Sequence, residues 1–269
     1  MADRLKIATW NVNSIRSRMD HVGRFVDENA PDVLCLQETR CPDGSFPSSP
    51  LRKLGYEHIV LNAKSGHHGV AILSKRPLSD VVIERTADID EPRHIAATVQ
   101  FAGAPLWLHN LYVPAGGDEP DAAINPRFAA KIAFLDALTA WSAVVGRAGR
   151  GVLVGDLNVA PLPDDVWSHK QLLSVVSHTP GETERLEAVR TAGGWVDAVR
   201  KVRPMPEKVF TWWSYRAKDW KAANRGRRLD HLWVTADLDG SLATVEVRPE
   251  TRDWERPSDH VPIVATLTA

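Results

Sequence analysis

Gly151-Val-Leu-Val-Gly-Asp-Leu-Asn-Val-Ala-Pro161 is the stretch that decides how this 269-residue chain is read. Val152, Leu153 and Val154 form a short apolar, β-branched run suited to a strand buried on both faces. The run stops at Gly155, and Asp156 and Asn158 stand together at its end. In α/β proteins that is where a rigid scaffold meets a loop open to a ligand. Taken alone, an Asx-type turn is the commoner fate of such residues. The reading changes because other strands of this chain finish the same way.

Upstream, Asn125 as a cap, Pro126 in the first turn and Phe128, Ile132, Leu135 and Leu138 at helical spacing predict a helix stopped by Gly146. Before it, a strand over 106–111 runs into Tyr112-Val-Pro114, completing a strand-helix-strand unit. At the start of the chain, a strand over 6–10 ends in Asn11-Val-Asn13-Ser14, and Ile15, Met19, Val22 and Val26 then repeat as a helix. A strand over 33–36 ends in Gln37-Glu38; that glutamate is either turned to solvent or paired with a cation. Short strands are expected over 54–62, 69–74, 81–84 and 95–101, with connections too brief for parallel crossovers, so the sheet cannot be purely parallel.

Downstream, 161–180 reads as loop, and 184–189 and 195–202 as short helices split by Gly193-Gly194. A strand over 228–234 carries Asp230 in its middle, and a last strand over 261–267 follows Ser258-Asp259-His260. The loop Lys64-Ser-Gly-His-His-Gly69 holds two adjacent histidines without a third ligand at metal spacing, which reads as a polar loop. No repeat and no low-complexity linker breaks the chain, so residues 1–269 are expected to form one domain.

The totals exclude several classes. A net charge of −1 leaves no global excess of positive charge to attract nucleic acid, so any polyanion must be held by a local patch. The two cysteines, Cys35 and Cys41, suit neither a disulfide framework nor a thiolate metal site. The longest apolar stretches look interrupted by charge short of a bilayer span, and no signal-peptide core is apparent, so a cytoplasmic protein with no membrane partner is expected. The one basic concentration, Arg216 through Arg225, Arg227 and Arg228, follows Trp212-Trp-Ser-Tyr215, a composition suited to gripping a backbone and stacking bases.

The polar residues at strand ends are Asn11, Glu38, Tyr112, Asp156, Asn158, Asp259 and His260, with Asp230 within a strand. Brought to one sheet edge, several carboxylates would repel unless a cation or proton intervened. Oxygen ligands without thiolates favour Mg²⁺ or Mn²⁺ over zinc. A histidine beside an aspartate near a hard cation suits hydrolysis at phosphorus.

These residues resemble the exonuclease III family of AP endonucleases, within the endonuclease/exonuclease/phosphatase superfamily. The likeness is carried, in order from end to end, by Thr9-Trp-Asn11-Val-Asn13-Ser-Ile-Arg16, Leu36-Gln-Glu38-Thr39, Gly69-Val-Ala-Ile-Leu-Ser-Lys75, Asn110-Leu-Tyr112-Val-Pro114, Gly155-Asp156-Leu-Asn158-Val-Ala160, Trp212-Trp-Ser-Tyr-Arg216, Arg228-Leu-Asp230 and Ser258-Asp259-His260-Val-Pro262. It implies an α/β, four-layered sandwich of two packed mixed sheets flanked by helices. It implies Mg²⁺-dependent cleavage of DNA: incision 5′ to abasic sites, 3′-end trimming and 3′ to 5′ exonuclease action on duplex DNA, by a monomer.

By position, Glu38 becomes the main metal ligand, with Asn11 and Asp259 nearby. Asp156 orients or deprotonates water, Asn158 bonds the scissile phosphate, and His260, oriented by Asp230, offsets developing charge. Tyr112 contacts the phosphate or, in a competing scheme, supplies the nucleophile; Asp156, Asn158 and His260 are also ligands in two-metal schemes. Asn13, Trp212, Arg216, Arg225, Arg227 and Leu229 fall at positions expected to meet DNA. Asn13 stands where some relatives have aspartate, Arg227 where certain AP endonucleases have tryptophan, and the segment after Asn158 lacks a histidine seen in some. The rival readings are a cousin acting on another phosphoester, such as an inositol phosphate, a sphingomyelin head group or RNA, and a catalytically silent DNA-binding relative.

Overall fold

The computed structural model describes residues 3–64 and 67–269; Ser65 and Gly66 of the expected 64–69 loop lie outside the described residues. The first half of the chain runs β1 (Arg4–Asn11), α1 (Met19–Asn29), β2 (Val33–Gln37), α2 (Ser48–Lys53), β3 (His58–Asn62), β4 (Val70–Ser74), β5 (Leu78–Ile83), β6 (His94–Phe101), β7 (Ala104–Tyr112), α3 (Pro126–Val145) and β8 (Gly151–Asp156). The second half adds α4 (His169–Leu172), α5 (Pro180–Gly193), β9 (Val196–Asp197), α6 (Ala198–Val202), β10 (Trp212–Trp213), α7 (Trp220–Ala223), β11 (Gly226–Arg227), β12 (Asp230–Val234), β13 (Leu242–Val247) and β14 (Ile263–Thr268).

Two six-stranded sheets form, ordered β13-β14-β1-β2-β4-β3 and β5-β6-β7-β8-β12-β9. Within them β1 pairs β2, and β7 pairs β8, in parallel; their other pairings are antiparallel. Period-two alternation explains the layering. One face of each strand, with Ile7, Cys35, Ile72, Val99, Leu108, Val154, Leu232 and Ala265, fills the space between the sheets. The opposite face of the first sheet, with Trp10, Leu34 and Leu73, packs on Val22, Phe25 and Val26 of α1. That of the second, with Leu111, Leu153 and Trp233, packs on Phe134, Leu135 and Leu138 of α3 and on Leu186 and Val189 of α5. The expected four-layered sandwich of mixed sheets is the observed one.

The differences are local. Residues 54–57 do not belong to a strand, and α2 precedes them. The edge strand β13, half exposed, lacked an apolar run to announce it. The 161–180 segment contains α4, and α5 begins at Pro180 because Thr179 and Glu182 form a capping box. Asp230 opens β12 rather than sitting in mid-strand. The buried stripe of α3 is Phe128, Lys131, Phe134, Leu135, Leu138 and Ser142; Ile132 is not part of it. At twenty residues, α3 is long and apolar enough to cross a bilayer, contrary to the sequence expectation, but its apolar face is covered by the second sheet and α5.

Candidate active site

Four strand ends bring the site together: β1 delivers Asn11, β2 delivers Glu38, and β7 and β8 deliver Tyr112 and Asp156 side by side in parallel register. Gly155 makes this possible, because a Cβ there would lie 1.9 Å from the Leu111 carbonyl oxygen. Asn13, Glu38 and Asn158 all leave their strands in the left-handed region, with φ of 45°, 54° and 53°. The Asx turn does form, Asn158 N–H donating to Asp156 Oδ1 at 3.0 Å, and Asn11 Oδ1 accepts from Asn13 N–H at the same distance. Turn chemistry and site chemistry use the same atoms here. Beneath them, Asn110 of the second sheet donates to Leu36 O and Ala71 O and accepts from Gln37 Nε2 at 2.7 Å, locking the two sheets in register.

His260 lies between two carboxylates. Its Nδ1 is 2.8 Å from Asp230 Oδ2 and its Nε2 is 3.6 Å from Asp156 Oδ2. Burial would push this imidazole down, but Asp230 and Asp156 overcome it and hold its pKa up at about 10. Asp156 is buried too; desolvation and the nearby Asp230 outweigh His260 and raise its carboxyl to about 7. Asp259 is held below the usual carboxylate range: burial opposes this, but His260 and hydrogen bonds from Asn13 Nδ2 (2.9 Å) and Trp212 Nε1 (3.0 Å) prevail. Burial, with Glu38 and Asp156 adding to it, pushes the Tyr112 phenol well above its ordinary value, and the Arg93 guanidinium lies over its ring at 4.9 Å.

Glu38 resolves the alternative left by its sequence position: it pairs with Arg40 and accepts from Asn11 Nδ2 at 3.0 Å. Asn11 Nδ2 also reaches Asp156 Oδ2 at 2.9 Å. The carboxamide thus turns its nitrogen to the carboxylates and its oxygen to Asn13; ligation through Oδ1 requires it to turn over. Asn158 Nδ2 donates to Val113 O at 2.8 Å and to Asp156 Oδ2 at 3.2 Å.

A cavity of about 1150 Å³ opens over these groups, lined by Glu38, Tyr112, Asp156, Asn158, Asp259 and His260 on one side. Its other walls carry Trp212, Arg216, Arg225, Arg227 and Leu229. Arg225 lies over Trp167 at 4.8 Å and Arg227 over Trp212 at 5.3 Å. Asn13 does not line the cavity and meets the site through Asn11 Oδ1 and Asp259 Oδ1. Arg228, by contrast, is fully buried and turned away from the cavity, bonded to Asp165 at 2.7 and 2.8 Å and to Asp197 at 2.8 Å. Sequence reasoning missed Arg40, Arg93 and Trp167: the first lay two residues from Glu38 but without periodicity, and the others sat in segments read as turn and loop.

The donor set suits a hard cation. Glu38 Oε2 and Asp156 Oδ2 converge on Asn11 Nδ2, at 3.0 and 2.9 Å, so two carboxylate oxygens and a carboxamide meet at one point. The Asp156, Asp230 and His260 ligand atoms, within 4.8 Å of one another among the described residues, ligate a cation only when His260 has given up its proton. No thiol lines the cavity. Carboxylate and carboxamide oxygens of this kind fit Mg²⁺ or Mn²⁺.

A two-sheet sandwich with a buried Asp-His-Asp group and further carboxylates at the floor of an aromatic, basic cavity defines a hydrolase of the nuclease kind. Residues 8–260 match the Endonuclease/Exonuclease/phosphatase family, and the chain belongs to that family. It is 30% identical to exodeoxyribonuclease III of Haemophilus influenzae over 97% of this chain and 99% of that one. The fold superposes on an AP endonuclease from Archaeoglobus fulgidus with a TM-score of 0.89 and 34% identity, covering 98% and 99% of the two chains. A 3′ phosphatase from Neisseria, solved bound to a product DNA hairpin, gives a TM-score of 0.88 at 32% identity, covering 97% and 98%.

Proposed function

We propose that this chain is a Mg²⁺-dependent DNA phosphodiesterase of base-excision repair, acting as a monomer, with 3′ to 5′ exonuclease activity on duplex DNA, incision at abasic sites and trimming of 3′ ends. The observation that carries the reading is the buried Asp230-His260-Asp156 group at the floor of the Trp- and Arg-walled cavity. Mg²⁺, held by Glu38 with Asn11 and Asp259 beside it, would supply Lewis-acid stabilisation of charge on the phosphate; Mn²⁺ suits the same oxygens.

The chain's own groups do the rest. Asp156, with a pKa near 7, is suited to take a proton from the attacking water. The water oxygen bonds to phosphorus as the bond to the 3′ oxygen breaks. His260, kept cationic by Asp230, offsets the charge that develops on the phosphate oxygens. Asn158 Nδ2, on exchanging its longer bond to Asp156 Oδ2 for one to substrate, donates to the same phosphate. The raised Tyr112 phenol stays protonated, which favours Tyr112 as a hydrogen-bond donor to phosphate and water as the nucleophile. Trp212 and Leu229, with the stacked Arg225 and Arg227 and exposed Arg216, suit a sugar-phosphate chain entering the cavity. Labelled duplexes with and without an abasic analogue, incubated with Mg²⁺ or chelator, test the proposal.

A further inference from the structure

Behind the site lies an ion pair that none of these steps uses. Lys131 of α3 and Glu182 of α5 are both fully buried, with Nζ and Oε1 2.5 Å apart. Lys131 Nζ also donates to the backbone oxygen of Asn158 at 2.7 Å and to that of Ala115 at 3.3 Å. The chain is shaped around this lysine: at Gly116, φ is +90° and a Cβ would lie 2.8 Å from Lys131 Cδ.

Asn158 is consequently fixed at every polar atom that faces the protein. Its N–H and Nδ2 bond Asp156, Nδ2 also bonds Val113 O, and its carbonyl takes the Lys131 ammonium. A left-handed non-glycine residue persists where its surroundings over-determine it. Glu182 does the same for the opposite wall. Both its oxygens accept from Ser177 N–H at 2.9 Å, and Oε2 accepts from Thr179 N–H at 3.1 Å and Oγ1 at 2.7 Å. Ser177 Oγ and Val176 O in turn accept from Arg227 Nη1 at 2.8 and 2.9 Å. Arg227 lies on Trp212, which bonds Asp259. One path of direct contacts thus joins Asp259 to Asp156 around the back of the cavity.

A buried ion pair is weak evidence of stabilisation, since well-packed apolar replacements are often as stable. Its placement here serves geometry. We propose that Lys131 and Glu182 are positioning residues for catalysis: the pair holds the Asn158 carboxamide at the phosphate subsite and holds the 176–179 wall against Arg227. The inference rests on the phosphodiesterase reading above.

The test is the neutral pair Lys131→Met/Glu182→Gln, measured in single turnover with saturating enzyme in excess over limiting duplex DNA, so that a reduced folded fraction does not lower the rate. The expected rate is about tenfold or more below wild type, and the Asn158 side-chain amide resonances shift. A rate within twofold of wild type would overturn the proposal. If wild-type protein cuts no duplex, the functional reading alone fails; the Asn158 resonances then decide, displacement supporting the positioning role and identity with wild type overturning it. Should the neutral pair not fold, Glu182→Asp, which keeps the charge but withdraws the carboxylate by one methylene, is read by the same two measurements.

Discussion

Asp156 and Asp230 stand directly opposite each other on the antiparallel strands β8 and β12, two buried carboxylates in cross-strand register. Like charges so placed destabilise a sheet, and His260 answers this by lying against both. The imidazole is therefore held cationic by the same pair whose repulsion it relieves.

Asp230→Asn keeps a hydrogen-bond partner for His260 Nδ1 but removes the charge. The His260 pKa should fall from about 10 toward its ordinary value, and kcat should drop by roughly 10²–10⁴. Imidazole NMR titration and a pH-rate profile check the two halves. An unmoved pKa would contradict the assigned cause.

Glu38→Gln should weaken Mg²⁺ binding by roughly tenfold or more and reduce turnover. Calorimetric titration with Mg²⁺ in the absence of DNA measures the first directly. Wild-type affinity in the variant would remove Glu38 from the ligand set.

The basic segment divides into two kinds of arginine. Arg225→Ala and Arg227→Ala should each weaken binding across DNA sequences and lower the salt slope by about 1. Arg228→Ala should instead leave Asp165 with Arg200 as its one remaining arginine and Asp197 without the Arg228 bond, costing about 1.5–3 kcal/mol of stability. Salt-dependent binding and urea unfolding separate them; equal effects of all three on DNA affinity, at unchanged stability, would refute the division.

Acid should draw stability from three buried histidines. Burial holds His109 at about 3, and His231 at about 4 with the Arg228 charge adding to burial, while burial and His109 lower His94 well below its ordinary value. Above pH 6.5 these side chains are neutral in both the folded and unfolded chains, so they cost nothing. As pH falls below 6.5 the unfolded chain takes up protons that the folded one refuses, and stability drops by about 1.4 kcal/mol per unit for each. Urea unfolding between pH 7.5 and 5.5 measures the slope, which His109→Gln should reduce by one proton's worth. Asp156 and His260, held up at about 7 and about 10, gain stability as pH falls over part of the same range, so the difference between variant and wild type is the diagnostic quantity, and an unchanged slope in the variant would contradict the neutral assignment.

The sandwich was legible because most of its strands alternate or run apolar, and β1, β2, β7 and β8 stop abruptly at or beside Asn11, Glu38, Tyr112 and Asp156. Asn11, Glu38, Tyr112, Asp156, Asn158 and Asp259 stood out for their polar character at or beside strand ends, and the structure lines one cavity with all but Asn11, which is buried beside it and bonded to Glu38 and Asp156. What stayed hidden depends on partners far along the chain. Arg228 reads as one more cation in a basic run until Asp165 and Asp197 are found beside it. Lys131 takes the place in the buried stripe of α3 that Ile132 was expected to hold, and its pairing with Glu182 explains it. Arg40 gave no sign, at two residues' remove, that it would fold back onto Glu38.

The most direct measurement is cleavage of two labelled duplexes, one carrying a single abasic analogue and one undamaged with a recessed 3′ end, each with Mg²⁺ and with chelator. The account predicts a metal-dependent cut at the abasic site and a 3′ ladder on the undamaged duplex, both abolished by chelator. Protein that binds Mg²⁺ yet cleaves neither duplex would contradict it and direct attention to a different phosphoester.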